Sequence, residues 1–431
     1  KPLLTRAPLL TRSNVGILVI CVLIGCANQY YAVFTVLLLG LVLAAQACQR
    51  LGLARLGSTV VAAVVIAVTL GLNMAPSVLY QRNHGTNTAI EHRNVEDSEK
   101  YGLKLTSMLL PREGHRVDLF GRATHKYGEH SPVDSEQGQS LGLIGAAGLT
   151  LLLALVVLGP FRRRRDVKDP LEDRLRQLGA LVIGIFLLAT IGGLSSLIAL
   201  FVPQIRGWNR ISVFLAFFVF FALALLLDEV RARQVLPRAV MRVWPVVLAL
   251  VVTIGILDST FDPPPYAPTK AEFASDDVFV HRIERRLGKT AMVFQLPYNP
   301  YPESPGLVDQ AYYDEARGYL HSSTLRWSYG AVRGRPQGDW QEPLVLGPVR
   351  DLLDTVAALG FTGIYVDRFG YGDHGAEIEH QLSALAPGSR LISPNHRLVL
   401  YDIRSYAKAL KTSEPERVAK LRRSILRLGT S

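Results

Sequence analysis

The chain has 431 residues, 49% of them hydrophobic and only 19% charged, with 47 basic against 36 acidic side chains and a formal net charge of +11. So apolar a composition excludes a disordered protein. Three cysteines, Cys21, Cys26 and Cys48, all in apolar N-terminal sequence, exclude a disulfide scaffold.

The chain opens on Lys1, and Pro2–Arg6 repeats at once as Pro8–Arg12, so it reads as a fragment whose upstream part is missing. Two apolar runs, 14–27 and 31–48, meet at Asn28-Gln29. One helix over both would be too long for a single bilayer crossing. The prediction is a helical hairpin that turns at Asn28-Gln29-Tyr30-Tyr31. Leu23-Ile24-Gly25-Cys26 has the look of a lipoprotein cleavage box, but sequence after such a box turns polar, and here another apolar run follows.

Four further stretches, 58–79, 140–160, 177–200 and 211–227, lack Asp, Glu, Lys and Arg, and a shorter one covers 243–257. A bilayer core of about 30 Å takes roughly 20 helical residues. None of these runs shows the polar stripe of a soluble core helix. The predicted fold class is therefore an α-helical polytopic membrane protein of about seven spans over 1–258, with an exterior loop at 80–139. A small α/β exterior domain follows at 259–431.

Lys and Arg gather on the connections 1–13, 49–57, 161–177 and 229–242, with Arg162-Arg163-Arg164-Arg165 the densest run. By the positive-inside rule these are cytoplasmic. The N-terminus of the fragment is then inside a bacterial plasma membrane, and 259–431 is periplasmic. The basic excess becomes an orientation signal, and no nucleic-acid partner is expected.

The loop 80–139 holds His84, His92, His115, His125 and His130; no pair has H-x-x-x-H or H-x-H spacing and no cysteine helps, so no metal site is predicted. His115 and Arg116, with Arg122, are suited to a phosphate, and Glu136 to holding a base or hydroxyl. Leu103–Leu110 is expected at the membrane surface. In the short turn 203–210, Trp208 fits an interfacial aromatic belt. Arg206 and Arg210 either snorkel to headgroups or clamp the phosphate of a lipid-linked substrate, with Asn209 as a neutral donor. No charged side chain or histidine falls inside a span, which argues against an ion-coupled transporter.

Asp262-Pro263-Pro264-Pro265 reads as a stiff linker. Beyond it, a helix is predicted over Ser275–Leu287, capped by Ser275 and ended by Gly288, with Val278, Phe279, Ile283 and Leu287 inward. A strand at Ala291–Leu296 follows, then a helix at Val349–Leu359 ended by Gly360, a strand at Gly363–Asp367 and a helix at Ala376–Leu385. Leu391 onward and Arg397–Ile403 form a hairpin. His321, Arg326, Trp327 and Tyr329 suit contact with a sugar or acceptor, or else belong to a docked structural loop. The tail Ser413–Leu428 carries a capping box, Ser413 with Glu416, and lies on a leaflet or on the domain. There is no G-x-S-x-G, P-loop or dinucleotide fingerprint.

The layout resembles the C-terminal half of bacterial GT-C-type multi-pass membrane glycosyltransferases, the YfhO-like and sugar-translocase-like proteins among them. The resemblance rests on Asn28-Gln29-Tyr30-Tyr31-Ala32, Glu136–Gly142 (EQGQSLG), Trp208–Phe214 (WNRISVF) and Gly363–Asp367 (GIYVD). It implies transfer of a sugar from a polyprenyl-phosphate carrier to an envelope glycan or lipid acceptor. It also implies a catalytic acid in a first exterior loop. The first exterior turn here, Asn28–Tyr31, has no acid, so the resemblance places the catalytic acid, and any divalent metal, upstream and assigns no catalytic residue in this chain. No cofactor is evident. The competing reading is a non-catalytic translocase or scaffold of envelope polysaccharide assembly.

Overall fold

The structure, a computed structural model, describes residues 12–50, 52–90, 93–131, 138–161, 169–233, 237, 242–260, 266–303 and 305–428. Glu136, the four arginines 162–165 and the prolines 263–265 lie outside these. The chain divides into two compact units, Lys1–His84 with Arg93–Asp262, and Gly85–His92 with Pro263–Ser431.

The first unit is helical. Its longer helices are α1 (Arg12–Ala27), α2 (Gln29–Cys48), α3 (Leu53–His84), α4 (Asp118–His130), α5 (Gly142–Leu158), α6 (Pro170–Ala189), α7 (Ser212–Ala232) and α8 (Trp244–Ser259). Three helical stretches are long and apolar enough to cross a membrane: Gln29–Cys48, Leu53–His84 and Trp208–Ala232. Shorter apolar helices cover Ser13–Ala27, Gly142–Leu158 and Trp244–Ser259. The apolar surface is turned outward as well as inward. Val60, Val64, Val68 and Leu72 on α3, Phe217 and Phe221 on α7, and Val246, Leu250 and Ile254 on α8 are all exposed. An apolar exterior of that kind is compatible with a membrane protein. Inside, Phe34, Leu149, Leu152, Val182, Ile185, Trp208, Ile211, Leu215 and Val219 form one core. Gly148 lets α5 and α7 approach, since a Cβ there would lie 2.9 Å from Val219 Cγ1.

Several helix limits differ from the sequence expectation. Asn28 alone separates α1 from α2, because its side chain accepts the Tyr30 N–H at 2.9 Å and caps α2. Tyr30 and Tyr31 are therefore helical. The run 58–79 is part of a longer helix that ends at His84, whose ring stacks on Tyr80 at 4.2 Å. The run 177–200 is not one helix: α6 begins at Pro170, where Asp169 accepts the Leu171 N–H, and stops at Ala189. The backbone turns through Thr190–Gly193 into a short helix, Leu194–Ala199. Leu103 causes this break, since its N–H donates to Ala189 O and its carbonyl accepts the Ile191 N–H. The expected surface patch Leu103–Leu110 is thus corrected: Leu103 and Met108 are fully buried in the core.

The second unit is a mixed five-stranded sheet with helices on both faces. Strands β1 (Met292–Leu296), β2 (Arg326–Trp327), β3 (Gly363–Asp367), β4 (Arg390–Ile392) and β5 (Leu398–Asp402) lie in the order β2-β1-β3-β5-β4. β2, β1 and β3 are parallel, and β5 and β4 pair antiparallel. Alternation sorts the side chains by face. Phe294, Leu296, Ile364, Val366, Val399 and Tyr401 pack with helix α10 (Val349–Leu359) and α11 (Ala376–Leu385). Val293, Tyr365, Leu398 and Leu400 pack on helix α9 (Tyr266–Leu287) through Phe279, Val280 and Ile283. Gly288 (φ +90°) and Gly360 (φ +101°) end α9 and α10 in the left-handed region, as a helix stop requires.

Ser275 does not cap α9, which starts nine residues earlier, at Tyr266. Ser275 is buried mid-helix and accepts the Asn395 N–H at 3.2 Å. Val278 is exposed, and Val280 takes the inward place. The tail forms helices α12 (Arg404–Ser413) and α13 (Pro415–Leu428). Ser413 Oγ donates back to Ala409 O, so it closes α12 and forms no capping box with Glu416. Arg417 reaches Asp354 at 2.6 Å, which ties α13 to α10. An early segment joins this unit: Asn87 Nδ2 donates to Arg333 O at 2.7 Å, and Arg335 donates to Gly85 O at 3.1 Å.

Candidate functional site

At one end of the first unit, two motifs far apart in sequence meet. Phe34 on α2 lies 5.6 Å from Trp208, and Tyr31 lies 6.2 Å from Phe214. The turn that carries Trp208 is thereby fixed, and its two arginines rest on tyrosine rings. Arg210 sits 4.8 Å from the Tyr30 centroid and Arg206 sits 5.2 Å from Tyr101. Buried Asn209 donates its backbone N–H to Tyr101 O at 2.8 Å. A stacked guanidinium keeps its N–H fork in its own plane, where an anion can meet it. The belt placement of Trp208 is corrected, since the side chain is fully buried in the core. Tyr101 was not legible, because nothing local marks it as the partner of residues 206 and 209.

His115 does not join this pair. It is buried, its Nε2 is 3.0 Å from Asp258 Oδ1, and its Nδ1 accepts the Val117 N–H. With both ring nitrogens engaged, it fastens the loop to the end of α8 and does not meet a phosphate. Asp258 also accepts the Leu143 N–H at the start of α5. Arg116 is exposed beside it. Arg122 and His115 line an open cleft of about 440 Å³ together with Glu113 and Asp118. Asp258→Ala removes the acceptor of two hydrogen bonds, one from a buried imidazole. The expected cost is about 2–3 kcal/mol, read as a lower midpoint for thermal unfolding of the helical unit in detergent. An unchanged midpoint would show that the pair carries no stability.

In the second unit, the C-terminal ends of the parallel strands carry the chemistry, as is usual where neighbouring connections run to opposite sides. Asp367 ends β3 and is 1% exposed. Arg397 grips it in a fork at 2.8 and 2.6 Å and also donates to Asp314 at 2.7 Å. Asp314 accepts from Arg317, which reaches Asp276 at 2.8 Å. Gln310 Nε2 bridges Asp367 and Glu315 at 3.0 and 2.8 Å. Gln295 donates to the other Glu315 oxygen at 3.2 Å.

Burial, reinforced by the charge of Asp367, pushes Glu315 up to about 8, so it is largely protonated at neutral pH. Burial also raises Asp276, against the hydrogen bond from Arg317. Burial acts the same way on Asp314, but the hydrogen bonds from Arg397 and the Ala311 N–H outweigh it, and the net shift is downward. A small cleft lined by Gln295, Asn299, Glu315 and Tyr329 opens here, with about 10 Å³ enclosed, room for one water or one hydroxyl. Asn299 Oδ1 is buried there with no hydrogen-bond partner among the described residues. Burial and the Glu315 charge push the Tyr329 hydroxyl up to about 12, so it stays a donor.

The four residues proposed for sugar contact do not converge. His321 is wedged against Phe273 at 4.3 Å, with Nδ1 3.3 Å from Asp277. Trp327 packs edge-on to Tyr365 at 5.5 Å, inside the sheet core. Arg326 is exposed on the edge strand, and only Tyr329 faces the cleft. His321 and Trp327 give their aromatic surface to packing. Comparison of the chain with protein-family models, with curated proteins and with solved structures finds no match.

Proposed function

We propose that the chain is part of a membrane glycosyltransferase that takes a sugar from a polyprenyl-phosphate carrier and delivers it to an envelope glycan or lipid acceptor. In this reading the apolar helices make about seven spans of a bacterial plasma membrane, with the second unit in the periplasm. The observation that carries it is the meeting of Asn28–Ala32 with Trp208–Phe214 through Tyr31 against Phe214 and Arg210 over Tyr30, with Arg206 over Tyr101 beside it. Two guanidinium forks so placed suit the phosphate of a carrier lipid. The cleft at Asn299, Glu315 and Tyr329 offers an acceptor, a neutral acid and a phenol to a hydroxyl of the acceptor.

The alternative is a non-catalytic translocase or scaffold. It draws on the pairing of the buried carboxylates Asp367 and Asp314 with Arg397, which leaves neither placed as a general base. The test of the main reading uses the full chain in lipid nanodiscs and a polyprenyl monophosphate. Arg206→Ala with Arg210→Ala is expected to weaken binding roughly ten- to a hundredfold at unchanged helix content. Equal binding by the double variant removes the reading.

A further inference from the structure

The last two helices of the second unit carry a charge that the rest of the unit does not. Residues 404–428 hold eight basic side chains and two acidic ones, whereas residues 261–403 hold thirteen basic and eighteen acidic. Most of the excess lies on α13. Its apolar stripe, Val418, Leu421 and Ile425, is half-buried, and the helix packs against α10. Arg417 adds ties to Asp354 at 2.6 Å and to Glu414 at 3.1 Å. The Tyr406 hydroxyl of α12 donates to the other Asp354 oxygen at 2.5 Å. The helix is therefore held on the domain by the face that an interfacial helix ordinarily gives to lipid.

The opposite face is left to solvent. Lys420, Arg422 and Arg423 are exposed there, and none holds an ion pair among the described residues. Arg423 Nε donates to Ala419 O of its own helix at 3.2 Å. Leu426, 55% exposed, stands one turn beyond Arg422 and Arg423, which sets an apolar side chain among the cations. Glu416, a turn before Lys420, is the one acid of α13. The carboxylates nearest in sequence are engaged elsewhere, Asp402 with Arg286 and Arg404, and Glu414 with Arg417.

An anionic bilayer attracts clustered Lys and Arg, each adding about fivefold to binding near the surface. An apolar side chain entering the headgroup boundary adds to it. Chain continuity brings such a surface within reach, since α8 ends at Ser259 and α9 begins at Tyr266. A tethered unit meets the surface at high effective concentration, so a few charges suffice. We propose that the outward face of α13, formed by Lys420, Arg422, Arg423 and Leu426, docks on the anionic phospholipid headgroups of the membrane that holds the first unit. The proposal rests on the membrane reading above and does not depend on sugar transfer.

The test is the rate of lysine acetylation by an uncharged reagent, read residue by residue by mass spectrometry on the full chain in lipid nanodiscs. Lys420 is expected to react at least about fivefold more slowly on phosphatidylglycerol discs than on phosphatidylcholine discs. Salt at about 0.5 M closes the gap. Lys289, exposed between α9 and β1, reacts equally on both. Arg422→Ser with Arg423→Ser abolishes the slowing at unchanged helix content, and Arg422→Lys with Arg423→Lys keeps it. Equal rates for Lys420 on the two discs overturn the proposal, as does an equal slowing of Lys289 or a double serine variant that still shows the difference. Protection of Lys420 by soluble polyglutamate but not by phosphatidylglycerol overturns it too, in favour of an acidic protein partner. A chain that does not enter the discs removes the membrane reading and this proposal with it, whereas a chain that enters with equal rates removes this proposal alone.

Discussion

Arg397→Ala is expected to unfold the second unit while leaving the helical unit intact. Arg397 is 4% exposed and holds two carboxylates, one of them the 1%-exposed Asp367. Removing one partner of a buried ion pair leaves its charge without compensation, at a cost of about 3–5 kcal/mol, a large fraction of a domain's stability. Burial works against the Arg397 charge, but the hydrogen bond and charge of Asp367 prevail, and its pKa is raised. Limited proteolysis of the full chain in nanodiscs is the measurement, with new cleavage between residues 266 and 428 as the expected result. Arg397→Lys keeps the charge but loses the fork and is expected to fall between the two. An Arg397→Ala protein as resistant as the wild type would mean that the cluster carries no stability.

A second large effect is a dependence on pH from Glu315. Its pKa rises from 4.5 to about 8 on folding. Between those values the folded state binds the proton and the unfolded state does not. Stability is therefore full below about 4.5, falls as pH rises, and is lowest above about 8. At about 1.4 kcal/mol for each pH unit, the loss is on the order of 5 kcal/mol. Glu315→Gln, which cannot ionise, is expected to flatten this slope. Denaturant midpoints at pH 5.5, 7 and 8.5 would show it. A wild-type midpoint that does not fall across this range would refute it. The lowered Asp314 and Asp402 act in the opposite sense, and their contributions are lost on acidification below about pH 4.

The elements of the second unit were legible where a short apolar run is bounded by breakers. Gly363–Asp367 and Ala376–Leu385 fall where the sequence puts them, and Gly288 and Gly360 stop their helices. The helical unit was legible as apolar mass, but not at its breaks. The break at Thr190 depends on Leu103, a contact across 87 residues that no local pattern encodes. Likewise Ser275 reads as a cap until α9 is seen to start earlier, with Asn395 taking its hydroxyl. The ionic cluster escaped the sequence reading because its members pair over distance. Asp367 stands 30 positions from Arg397. A signal was present, since each is a charge that abuts an apolar strand run, Gly363–Val366 and Leu398–Tyr401. The sequence suits His115 to a phosphate for the same reason: its partner Asp258 is 143 residues away.

The place of Asn87 has a practical consequence. A truncated chain that began after the proline run would lack Gly85–Ile90, and with it the side chain that meets the Arg333 carbonyl and the carbonyl that receives Arg335. Gly334, whose space is closed by Asn87 and Ala89, would face an open notch. A C-terminal piece that began there would therefore leave these partners unmet. A synthetic peptide spanning the missing stretch is the natural complement for it.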